Sequence, residues 1–145
     1  MTLLLAIAVL AAPSTRAYAT IASVVSPMLA GARRGAHRAV HDYVAVAKTL
    51  HGDEGLDAVQ GKAEKLGRPS RDSIKSLDDG STARFITWMM RATTSGPTTH
   101  VHLSTGFYRC QREFGPSWCL IHASVVSCSG ADKCSTMYEM PLGTH

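Results

Sequence analysis

Apolar residues recur at helical spacing through the middle of the chain. Ala36, Val40, Tyr43, Ala47 and Leu50 form one stripe, which predicts a helix from about Pro27 to Leu50. Gly52 ends that stripe, and Asp53 is placed to cap a second helix whose Leu56, Val59, Ala63 and Leu66 share a face. Gly67 and Pro69 stop it, because one tolerates a left-handed exit and the other cannot continue the ladder. Ser70 to Leu77 reads as a further short helical piece, followed by a turn at Asp78-Asp79-Gly80. From Ser81 onward Phe85, Trp88, Met89 and Ala92 again recur at three and four, which predicts a helix with a core-packing stripe.

The pattern changes after Thr94-Ser95-Gly96-Pro97. Thr98 to Cys110 and Trp118 to Cys128 are rich in Thr, Val, Ile, Tyr and Phe, and Arg112 to Ser117 between them carries a Gly115-Pro116 turn signal. Two antiparallel strands follow, with a short third near Met137 to Met140. The expected class is α+β: N-terminal helices packed on a small antiparallel C-terminal sheet braced by two disulfides.

The N-terminus has a different grammar. An apolar run from Leu3 to Ala12, then Pro13, then the small-x-small triplet Ala17-Tyr18-Ala19, has the parts of a secretory signal cut after Ala19. The run is shorter than the roughly 20 residues needed to cross a bilayer, and its n-region lacks Lys and Arg. The dibasic pair Arg33-Arg34, set among small residues, offers a second cut by a processing protease with acidic subsites. The expected organisation is therefore a signal at 1–19, a pro-segment at 20–34 and a single mature domain at 35–145. Two other fates compete: a retained membrane anchor, and mitochondrial import, which uses acid-free leaders bearing arginine.

Charge matters mainly through that processing. The chain has 15 Lys plus Arg against 11 Asp plus Glu, a net charge of +4. A product starting at Gly35 loses Arg16, Arg33 and Arg34 and no acid, so its net charge falls to about +1. Lys62, Lys65, Arg68 and Arg71 are interleaved with Asp57, Glu64 and Asp72, which gives a solvated surface and no strong nucleic-acid signal.

All four cysteines, Cys110, Cys119, Cys128 and Cys134, lie in the last third of the chain. An even number behind a secretory leader predicts two disulfides, and Cys110 with Cys119 plus Cys128 with Cys134 is the simplest of three pairings. No Cys-x2-Cys pair is present, so neither a zinc knuckle nor a thioredoxin-type redox motif fits.

Histidines supply the remaining chemistry. His37 and His41 are four apart on a predicted helix, and His100 and His102 two apart on a predicted strand, so each pair leaves one face. Meeting in space, the four would suit Zn²⁺ or Cu²⁺, although His37 to His41 lacks the glutamate of the metalloprotease motif. His100, His102 and His122, with Glu113 and Arg109, form an alternative hydrolytic set of the ribonuclease kind. Both patterns are common on ordinary surfaces, and no nucleophile elbow, phosphate loop or dinucleotide fingerprint accompanies them. No cofactor is implied.

Leader, short pro-segment and cysteine-braced domain together resemble the plan of many small secreted toxins, effectors and defence proteins, a likeness that assigns no residue a role. The leading expectation, which leans away from an enzyme, is a secreted, disulfide-stabilised interaction protein that binds an extracellular or host target, either a protein or a membrane surface. A small secreted hydrolase and an anchored organelle membrane-complex subunit are the alternatives. N-terminal sequencing of the native protein is expected to find Thr20 or Gly35 first, whereas a native Met1 would point to the anchored subunit.

Overall fold

A computed structural model describes residues 35–92 and 98–141. The leader, the pro-segment, Ala19 and the Arg33-Arg34 pair lie outside the described residues. Two helices precede a five-stranded antiparallel sheet, and four cysteines form two disulfides. The first helix, α1, covers residues 35–47 of the described chain. Its buried side is Ala39, Tyr43, Val46 and Ala47, with Leu50 just beyond. The expected stripe is thus shifted by one residue in the first turns, where Ala39 is buried and Ala36 and Val40 are half-buried.

Helix α1 unwinds through bonds from the Lys48 and Thr49 amides to Val44 and Val46, and the Thr49 hydroxyl also donates to Val46 O at 2.7 Å. Helix α2 (Leu56–Ala63) is short, and its N-cap is Gly55 with no side-chain cap. The expected capping by Asp53 is corrected here: Asp53 adopts a left-handed φ of 65°, and its carboxylate accepts the Tyr108 hydroxyl at 2.6 Å. A side chain engaged with the sheet is not available to a helix terminus. A 3-10 turn at Glu64–Leu66 and Gly67, at φ 85°, close the helical part.

The strands run β1 (Arg71–Ser76), β2 (Thr82–Ala92), β3 (Thr99–Arg112), β4 (Gly115–Ser129) and β5 (Lys133–Glu139), each paired with the next in sequence. Two expected helices are therefore strands. In β2 the residues that matter alternate: Ile86 is fully buried and Trp88 nearly so, while Phe85 is 39 % exposed. The helical stripe of Phe85, Trp88, Met89 and Ala92 competed with this period-two pattern, and β-branched and aromatic residues fit the pleated alternative. Ser70 to Leu77 buries nothing fully, so its own pattern decides little; β1 forms because it pairs with β2. The turn joining them lies at Asp78 to Gly80, as its residues predict, and there Gly80 takes φ 80° and Asp79 accepts from the Ser81 amide and hydroxyl.

Strand β3 pairs with β4 along nearly its whole length, and the two turn through Glu113 and Phe114, one pair before the expected Gly115-Pro116 signal. Gly115 closes the turn at φ 110°, and Pro116 already faces Gln111 within the ladder. Cys110–Cys119 crosses this hairpin, and Cys128–Cys134 joins directly opposed residues of β4 and β5. Both bridges close local loops, spanning 9 and 6 residues.

One cluster of buried side chains takes Tyr43, Val46 and Leu50 from the first helical region and Val59 and Ala63 from α2. From the sheet it takes Ile86 and Trp88, Val101, Leu103 and Phe107, and Leu120, Ala123 and Val125. Thr105 is the buried polar residue of this face, and its hydroxyl is satisfied by Ile86 O at 3.0 Å. The strand assignment of β2 makes a discriminating prediction: Ile86→Ala should cost about 2–5 kcal/mol in urea unfolding, and Phe85→Ala distinctly less. The reverse order would restore the helical reading.

Candidate functional site: the open face of the sheet and the hairpin tip

Side chains alternate across a strand, so the residues between the buried ones leave from the opposite face. On β3 these are His100, His102, Ser104, Gly106 and Tyr108, and their neighbours in register include Arg91, Met89 and Phe85 of β2 and Cys128 and His122 of β4. This open face and the β3–β4 turn carry the protein's unusual chemistry.

The first feature is the histidine pair. The rings of His100 and His102 lie 5.8 Å apart between centroids and only 18° from parallel. One nitrogen from each ring and Cys128 Sγ lie within 4.8 Å of one another. His102 Nδ1 is buried without a hydrogen-bond partner. Burial, and after it the neighbouring His100 charge, holds the His102 pKa below the ordinary imidazole range. Cys128 is sealed in its disulfide and offers no thiolate.

A second feature is an apolar shelf at the other end of the same face. Phe85, Ile121, Leu77 and Tyr108 are all substantially exposed around a cleft of about 630 Å³. Gly106 forms its floor: a Cβ there would meet the Phe85 ring at 3.6 Å and Ile121 Cγ2 at 3.7 Å. Lys75 lies over the Phe85 ring, 5.6 Å from its centroid, so a cation borders the shelf.

The third is the hairpin tip. Phe114 is 98 % exposed. Behind it the Arg109 guanidinium stacks on Trp118 at 4.7 Å, and the Cys110–Cys119 bridge ties the two strands together. Arg112 donates to Asp53 O from Nη2, and from Nε to Cys119 Sγ at 3.3 Å. Tyr108 joins the same knot through Asp53, a bond that raises the Tyr108 pKa ahead of burial and the Asp53 charge.

No protein-family model, curated protein or solved structure matches this chain.

The residues singled out from sequence are therefore placed by geometry alone. His37 and His41 are exposed on α1, whose buried residues share a cluster with Val101 and Leu103; His100 and His102 leave β3 on the other side. The four-histidine metal site is not assembled. His122 lies opposite Gly106, four residues along β3 from His102, or about 13 Å at the rise of an extended strand. Glu113 is in the turn and Arg109 on Trp118, still farther from the pair, so the hydrolytic set is not assembled either. Sequence reasoning misses the shelf because Phe85 also fits a helical core stripe. It also misses the tip, where the signal is an aromatic residue inside a stretch otherwise read as a turn.

Protonating His102 should weaken the fold. Its folded pKa is depressed below the unfolded value of about 6.5, so the unfolded chain takes up the proton first. Stability is thus fully present above that value and falls as pH drops through the lower, folded pKa. In chelator-containing buffer, melting temperature is expected to fall between pH 7.5 and 5.5, and His102→Gln should flatten that slope. An identical slope in the variant would assign the acid sensitivity elsewhere.

Proposed function

We propose that this protein is an exported, disulfide-stabilised interaction protein of the toxin or effector kind, whose helices cover the core face of the sheet and whose hairpin tip engages an extracellular target. The observation that carries this reading is Phe114, almost wholly exposed on a turn braced by the Cys110–Cys119 disulfide. An aromatic ring held in water contributes nothing to folding, whereas a rigid, pre-ordered aromatic anchor loses little entropy when it enters a partner. The flanking shelf of Phe85, Ile121 and Leu77 offers contiguous apolar surface for a partner to cover. Arg109 and Arg112 add fixed cations beside the tip, suited to acidic groups on a protein or at a membrane surface.

Two disulfides in a chain of this size support an oxidising destination. Among the described residues no helix is long and apolar enough to cross a membrane. A hydrolase reading loses ground because its histidines are spread along the sheet.

Thiol titration of the natural protein tests the first half: no free thiol is expected, and a fully reduced, cytosolic molecule would overturn export. For the second half, Phe114→Ser should leave stability within about 0.5 kcal/mol of the parent, as exposed substitutions do. The same change should abolish partition onto vesicles of mixed phosphatidylcholine and phosphatidylglycerol if the target is a membrane. Absence of partition in the parent protein would assign the tip to a protein target.

A further inference from the structure

The geometry points to a copper site on the open face, in which His100 and His102 chelate one Cu²⁺ as a two-nitrogen pair held by strand β3. Residues two apart on a strand share a face, and here both rings lie nearly parallel at 5.8 Å. Two donors about 2 Å from one ion stand at most about 4 Å apart. The spread of 4.8 Å across His100, His102 and Cys128 exceeds that limit by under about 1 Å, a gap within reach of side-chain rotation.

A second observation singles out this pair. His102 Nδ1 is a buried nitrogen with no hydrogen-bond partner, a costly state that coordination would relieve.

The surroundings select the metal. Imidazole suits copper, which also stands at the top of the affinity order for divalent ions at nitrogen sites. Met89 stands opposite His102 in the β2–β3 register, and the Cys128 sulfur lies within the same 4.8 Å group. Neutral, polarisable sulfur near the pair is a softer environment than the carboxylates that calcium or magnesium need. The charged groups facing the site are Arg91, opposite His100 on β2, and Arg71 of β1, which lines the same cleft as His102 and Met89; Arg91 is exposed, and its Nε is engaged with Met89 Sδ at 3.4 Å. Ser104 and Val126 complete the register around the pair and carry no charge.

The exposed pair on α1 is the competing copper chelate, so the test uses the disulfide-bonded His37→Ala/His41→Ala protein titrated with Cu²⁺ alone. One ion per chain is expected, with a paramagnetic spectrum split by two imidazole nitrogens. Adding His100→Ala or His102→Ala should weaken binding by at least about tenfold, the loss that even an outer partner of a metal-bound histidine causes. Zn²⁺ should bind the same pair more weakly. Unchanged affinity after both replacements would overturn the assignment, as would absence of binding before them. Should the replacements unfold the chain, amide broadening by Cu²⁺ in the otherwise unaltered protein decides: it must centre on residues 100–102 and their β4 neighbours, and broadening centred elsewhere refutes the site.

Discussion

The alternation along strand β3 is the constraint on which the rest depends. Val101, Leu103, Thr105 and Phe107 go to the buried cluster, and His100, His102, Ser104, Gly106 and Tyr108 go to the other side. A slip of one residue would exchange the two sets, burying two imidazoles and exposing the core. Register is held on one flank by β2 and on the other by β4, and the two disulfides fasten β4 to both of its hairpin partners. The ladder is interrupted between Gly106 and Phe107, where β4 inserts an extra residue. That bulge places Ile121 beside the Gly106 floor, and so makes the shelf.

Strand β4 is longer than β5, and the linker between the helices pairs with it beyond β5, at Cys119 and Leu120. Asp53 N donates to Leu120 O and Leu120 N to Glu54 O, each at 2.8 Å, while Gly55 bridges to Cys119. Lys62 reaches back to Thr49 O at 2.6 Å and to the Glu54 carboxylate, fixing the linker from its other side. Polar groups of an edge that would otherwise seek a partner are satisfied within the chain. The left-handed turn at Asp53 and the Tyr108 hydroxyl bond make that closure possible, which explains why the residue has no role in capping α2.

Much of this was legible in the sequence. The two helices, the turn at Gly80 and the β3 and β4 strands follow from period and turn chemistry. Cys110 and Cys119, and Cys128 and Cys134, are joined as the shortest loops suggested. The errors share one cause. In β2 the residues Phe85, Ile86, Trp88 and Met89 satisfy both a period near 3.6 and a period of two. Only pairing with β3 settles which prevails, and such pairing is non-local. Sites suffered likewise: two histidines two apart on a strand are readable as neighbours, but whether a third joins them depends on how far along the sheet the next strand places it.

Among the described residues strand β1 has no neighbour on its outer side, and its Ile74 is 60 % exposed. A bare apolar edge of that kind invites other chains to add strands to it. Arg71, Asp72 and Lys75 flank the isoleucine, and Asp72 is bound to Arg84 of β2 at 2.6 Å. Docking a second molecule there would bury or displace these charges, so the margin polices itself against fibre-like stacking at high concentration.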